Sequence, residues 1–380
     1  MEVENLRTGG FNFSLSRLMS GATMVAALAI CTHLGLADGR TGDVYLMTNQ
    51  PAGNSVMVFH RDAAGTLTFA GNFASGGNGA GTGADPLGSQ GSLVLSGDER
   101  LLFAVNAGSN SVSVFGVSGD QLKLINTVPS GGTMPVSVAV RHDLVYVLNA
   151  GGTPNISGFR IDPETNQLVP LAGSTQNLPG GAAAAPAQVS FSSEGTVLVV
   201  TEKGTNRIDT FTLDDGLPRP GVAHPSNGTT PFGFAFGGDN VAIVSDASGG
   251  PSGTSALTSY EVEEDGKLEV ISPAVGDTQT AACWVVVPRN GKFAYTSNTG
   301  SGTISSFTVS DGGKLALLNV TAASTGGTPV DMALSNDSRF LYERNGNGTI
   351  GGFRIEADGS LTAVTSATGI PAGSQGIAAR

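Results

Sequence analysis

The sequence predicts an all-β fold, a seven-bladed β-propeller of four-stranded blades whose last strand completes the first blade. Three observations predict it: a glycine-rich composition, seven repeats marked by one aromatic, and an echo between the C-terminal residues and the segment before the second repeat. Glycine supplies 56 of 380 residues, about twice its ordinary share of roughly 7%. Glycine suits turns and weakens helix interiors, so many short strands joined by tight turns are expected. The chain is longer than one compact core usually allows. Repeats escape that limit, because each unit packs only on its neighbours.

The clearest unit runs Pro329 to Leu334, then Ser338 to Tyr342, then Thr349 to Ile355, with a fourth strand from Ser360 after the turn Glu356-Ala357-Asp358-Gly359. Each segment is short, partly alternating and bounded by turn residues, as half-buried strands are. The third-strand aromatic recurs as Phe59, Phe115, Phe159, Phe211, Tyr260, Phe307 and Phe353, at gaps of 44 to 56 residues. That period is typical of propeller blades. A polar residue near the end of the second strand keeps step: Asn49, Asn106, Asn149, Glu202, Asp246, Asn298 and Asn345. So do outer turns such as Asp162-Pro163-Glu164, Asp214-Asp215-Gly216, Asp265-Gly266 and Asp311-Gly312-Gly313.

First strands are expected near Gln90, Pro135, Pro186, Pro231, Ala282 and Pro329. The first repeat begins directly at its second strand, Asp43-Val44-Tyr45-Leu46-Met47. Its missing inner strand is read at the other end, where Gly373-Ser374-Gln375-Gly376-Ile377 echoes Gly88-Ser89-Gln90-Gly91-Ser92. Such a closure removes sticky edges. The predicted organisation is a signal segment at 1–37, a short linker at 38–42 and one propeller at 43–380. Gly76 to Gly83 lacks the helix that a phosphate loop needs and the tandem copies of a calcium turn. It reads as a flexible linker between blades.

Arg7 and Arg17 precede the apolar stretch Met24 to Cys31, and Gly35-Leu36-Ala37 offers small residues for cleavage. This pattern predicts export to the periplasm or exterior. The apolar run is shorter than the ~20 residues of a membrane span. Removing the segment leaves Cys283 alone, which excludes an intramolecular disulfide and two-cysteine metal motifs. No metal or cofactor is expected, and the chain reads as a monomer. Nineteen basic residues face 31 acidic ones, a formal charge of −12 without a basic run. That balance argues against nucleic acid and against anionic membranes.

Trp284-Val285-Val286-Val287-Pro288-Arg289-Asn290-Gly291-Lys292-Phe293-Ala294-Tyr295-Thr296-Ser297-Asn298 resembles a unit of the lactonase-type seven-bladed propellers, which include 6-phosphogluconolactonase and a carboxymuconate-lactonizing enzyme. Pro186 to Gly195 and Leu93 to Asn106 resemble the same unit, and the likeness covers roughly residues 43–380. The resemblance implies acid, base and cationic groups near the starts of the innermost strands. Where a histidine is typical, this chain has Ser137, Gln188 and Gly233. Arginine positions hold Phe232 and Thr299, and glutamate positions hold Trp284 and Asn106. Lactone hydrolysis needs a base for water and donors for the oxyanion. These residues supply no such base.

The expected function is therefore a non-catalytic propeller that binds a small molecule or a protein at the channel face. The alternative is a lactone hydrolase or lactonizing enzyme with reassigned residues. Trp284, the only tryptophan, is read either as a core plug or as a stacking wall, with Gln188, Asp331 and Ser137 on the same ring. The small molecule that the resemblance implies is like a sugar or hydroxy-acid lactone. Glu202-Lys203 and Glu343-Arg344 read as solvated rim pairs, and Asp246 as a turn cap. Asn155, Asn227, Asn319, Asn336 and Asn347 begin glycosylation sequons, relevant only in a eukaryotic secretory pathway.

Overall fold

The computed structural model describes residues 41–81 and 83–380; the predicted signal segment lies outside them. These residues form seven antiparallel sheets, each running from an inner to an outer strand. Blade one holds Gly42–Met47, Ser55–Arg61 and Leu67–Ala74, and its innermost strand is Ile377–Ala379 from the other end of the chain. The two ends pair antiparallel, Leu46 opposite Ile377 and Val44 opposite Ala379. Main-chain bonds from Gln375 to Met47 and from Arg380 to Asp43 extend the seam.

Blades two to seven begin with the innermost strands Leu93–Leu95, Thr133–Arg141, Pro186–Phe191, Pro231–Phe236, Ala282–Val286 and Pro329–Leu334. Blades three and four depart from four simple strands. Their outer strands are split, into Leu168–Pro170 with Gln176–Asn177 and into Leu217–Pro218 with Val222–Pro225. His224 lies on the last of these outer strands, opposite Ile208.

Second strands are buried on both faces because blades pack on either side; Val197 to Val200 are all inaccessible. All seven third-strand aromatics are buried as well. Neighbouring blades are further joined by a repeated bond into the predicted outer turns. Tyr146, Thr210, Ser259, Tyr295 and Tyr342 donate their hydroxyls to the carbonyls of Gly216, Gly266, Gly313, Gly359 and Gly65 in the next blade. Gly65 has φ +92° and Gly359 φ +83°, and a Cβ at either would lie about 2.5 Å or less from a ring carbon of Phe340 or Phe293. Only glycine meets both demands.

The segment from Gly76 does join blades one and two, and its described part bonds back to blade one. Gly77 accepts from Asn54, Gly79 donates to Gln50, and Ala80 donates to the Asn49 side chain at 2.8 Å. A Cβ on Gly79 would sit 2.0 Å from the Asn49 backbone, so glycine here serves close approach.

Candidate functional site: two ends of the central channel

Innermost strands all begin on one face, the entry face, and end on the other, the exit face. At the entry face five of them carry a register irregularity at the same point, after Pro135, Pro186, Pro231, Ala282 and Pro329. A bulge re-aims one side chain and frees main-chain groups from the ladder. Side chains that the sequence placed on the channel ring bond main-chain groups beside these bulges and in the closing segment. Gln188 bonds Phe234 twice, its Nε2 donating to the carbonyl at 2.9 Å and its Oε1 accepting the N–H at 2.7 Å. Asp331 accepts the N–H of Met332 at 2.9 Å and that of Gly376, just before the closing strand, at 3.0 Å. Ser137 Oγ accepts the Val189 N–H at 3.3 Å.

Trp284 is wholly inaccessible. Its indole N–H donates to the Ser89 carbonyl at 2.9 Å, and its ring lies 5.1 Å from that of Phe232. Residues 85–90, which precede blade two, form a stopper across the axis. Gln90 reaches blade six, donating to the Val285 carbonyl at 2.8 Å and accepting its N–H at 3.1 Å. Ser89 bonds Val136 of blade three, and Gln375 holds Leu87, Ser89 and Asp85 from blade one. From blade four, Lys203 donates to the Gly88 carbonyl and lies 4.5 Å over the Phe232 ring. Gly233 cannot gain a side chain, since its Cβ would fall 2.0 Å from Gln90 Oε1.

Burial dominates the electrostatics here. It pushes Asp331 up to about 8 and Cys283 up to about 12, raises Asp85 and lowers Lys203. Glu202-Lys203 and Glu343-Arg344 are not solvated rim pairs: Glu202, Glu343 and Arg344 are fully buried. Arg344 donates to the Ala84 carbonyl at 2.8 Å, and Glu343 accepts from Asn345 at 2.7 Å. Asp246 is buried at the end of its strand and accepts the Thr258 hydroxyl at 2.5 Å.

Beyond the stopper the channel opens toward the exit face as a cavity of about 490 Å³. Gln90, Gln188 and Asp331 close its inner end, Val138, Phe191 and Met332 wall it, and Arg141 and Leu334 stand nearer the opening. Trp284 and Ser137 are not among its lining residues. Leu95, Leu334 and Ala379 continue into a shallower mouth, which shares Glu99, Arg289 and Asn336 with a cleft of about 680 Å³. In that cleft the buried Asp43 carboxylate accepts from the Arg380 guanidinium at 2.6 and 3.0 Å. Its other oxygen has no hydrogen-bond donor and lies 3.6 Å from Nδ1 of the half-exposed His60. No group of three or more His, Cys, Asp or Glu side chains among the described residues is placed to hold a metal ion.

Sequence reasoning misses the stopper, although its signal is present. Gln90 and Gln375 are the matching residues of the echo, and both deliver their amides to the axis. It also passes over His60, which stands directly opposite Asp43 on the neighbouring strand.

The family model described as lactonase, 7-bladed beta-propeller, matches residues 45–184 and 249–376. Among curated proteins no sequence matches. Solved structures with a similar fold include the periplasmic gluconolactonase of Pseudomonas aeruginosa, with 18% identity, 88% of this chain and 99% of that one covered and a TM-score of 0.68. A candidate 6-phosphogluconolactonase from Bacteroides uniformis has 20% identity, 88% and 99% coverage and a TM-score of 0.65. A Lactobacillus plantarum protein has 19% identity, 89% and 99% coverage and a TM-score of 0.68.

Proposed function

The chain belongs to the lactonase family of seven-bladed β-propellers, and from that premise we propose that it binds a small molecule without opening a lactone ring. The stopper carries this reading. The entry-face positions where the resemblance implies an acid, a cation and a base hold Trp284, Phe232 and Gly233, and Trp284 is covered completely. Hydrolysis needs a free base and free oxyanion donors. Gln188, Gln90 and Asp331 instead spend their polar atoms on main-chain groups of other strands. The ligand enters from the exit face, where the channel, its mouth and the charged cleft share lining residues. A sugar or hydroxy-acid lactone held intact fits the family.

The full chain, tested on δ- and γ-lactones including 6-phosphogluconolactone with a pH indicator, is expected to give no turnover above the blank. Calorimetric titration of the same lactones is expected to show binding that Leu334→Trp abolishes by filling the exit mouth. Binding unchanged by that substitution would place the ligand elsewhere.

One observation favours hydrolysis with reassigned residues. His60 faces the cleft with a buried carboxylate on its Nδ1 side, an arrangement that suits a general base. Turnover that His60→Gln removes would replace the binding reading by this one. Export is also part of the proposal, supported by the apolar segment Met24 to Cys31 and by the periplasmic relative. N-terminal sequencing of the exported chain checks it, and a chain retained whole in the cytoplasm would refute it.

A further inference from the structure

The residue at the end of a second strand has a repeated partner, the hydroxyl two positions before the third-strand aromatic. Asn106 donates to Ser113 at 2.7 Å, Asn298 donates to Ser305 at 2.8 Å, and Asp246 accepts from Thr258 at 2.5 Å. In blade four the same two places hold Glu202 and Asp209, both fully buried. Glu202 accepts the Gly180 N–H at 3.0 Å and the Thr205 hydroxyl. Neither Asp209 oxygen meets an N–H or hydroxyl donor, and the Glu202 carboxyl is within bonding reach of it. An ionised carboxylate only accepts, so two of them buried side by side require a proton between them.

We propose that Glu202 and Asp209 share one proton and act as a latch, whose loss loosens this strand end and with it the Lys203 bond that helps hold the stopper. The connection is short. Lys203 and Gly204 bond the carbonyls of Ala185 and Ala184, in the turn whose Gly180 N–H is held by Glu202. Lys203 then reaches Gly88. Four features therefore move together: the carboxyl pair, the 180–185 turn, the lysine and the stopper. The stretch 185–248, which includes this pair, also lies between the two segments that the family model matches.

Burial raises the Asp209 acid above the usual carboxyl range, the hydrogen bond and charge of Glu202 raise it further, and Arg207 opposes them. A raised acid stabilises the fold fully below its ordinary value, and that contribution is lost as pH rises through the raised one. Asp246, Asp331 and Glu343, raised to about 7, 8 and 8, add to the same decline, so the latch is read as a difference between variants.

The test follows acrylamide quenching of Trp284 and the denaturant stability of the full chain from neutral to alkaline pH. Wild type is expected to gain quenching as the stopper leaves Trp284. Glu202→Asn with Asp209→Ser recreates the Asn–Ser pair of blades two and six, and should stay protected over that range. Its stability should fall with pH by up to one proton less, about tenfold per pH unit in the unfolding constant. Equal opening in both proteins would overturn the latch. No opening in wild type would overturn it too. Should the double variant not fold, Asp209→Asn is read against the same criteria.

Discussion

The two ends of the channel are built from the same seven strands and differ in what their polar atoms do. At the entry face Gln90, Gln188, Asp331 and the Trp284 indole all bond main-chain groups of other blades or of the stopper. At the exit face His60 and Arg289 are exposed along a cleft. A buried polar group must be satisfied from within, so the polar atoms of the first end serve to hold the ring together. Polar groups still facing water are available to a ligand. The difference teaches that position on the ring is a poor guide to function when strand starts are bulged, because the bulge decides which side chains are used up.

The largest effect should come from removing what serves both ends. Deleting Gly373 to Arg380 takes away the closing strand, the Gln375 bonds to the stopper and the Arg380 bond to Asp43 in the cleft. Ile377 and Ala378 are buried there, and at ~25 cal/mol per Å² their loss with the seam should cost several kcal/mol. Two bare edges would also invite aggregation. Equal melting of the truncated and full-length chains would show that closure does not hold either end.

Next comes Trp284→Ala, which touches the entry face alone. A fully buried aromatic removed from a packed site costs about 3–5 kcal/mol, and the Ser89 carbonyl also loses its indole donor. Urea denaturation should show that drop. A cost within about 0.5 kcal/mol, the range of surface substitutions, would mean that the ring fills no structural space and would reopen its reading as a ligand wall.

The blades are legible because each repeats one aromatic, one polar strand end and one outer turn, and these are properties of residue type. Phe59 to Phe353 mark buried third strands, and Gly373 to Ala379 closes the ring as the echo implies. The site is less legible. Gln188 and Asp331 do reach the channel, but their partners are main-chain atoms of Phe234 and Gly376, which no residue type announces. Glu202, Glu343 and Arg344 read as solvent-facing because charged residues are rarely buried. Here they lie between packed blades, where strand order and not composition sets the environment. Trp284 does stand on an innermost strand, while the loop that covers it reads in sequence as the start of another blade's first strand.

The smallest effect sharpens the comparison most. Arg289→Ala changes an exposed side chain at the exit cleft, whose guanidinium bonds the exposed Asn336 side chain. Water replaces such a bond readily, and surface changes of this kind stay within about 0.5 kcal/mol. Gln188→Ala, by contrast, strands the N–H and carbonyl of Phe234 in a buried site, where an unsatisfied group costs about 1–3 kcal/mol. The pair should therefore separate clearly in denaturant unfolding, with Gln188→Ala shifted and Arg289→Ala superposed on wild type. If Arg289→Ala lost as much as Gln188→Ala, the exit cleft would contribute to the fold no less than the entry face does. The distinction between a structural end and a ligand end would then fail.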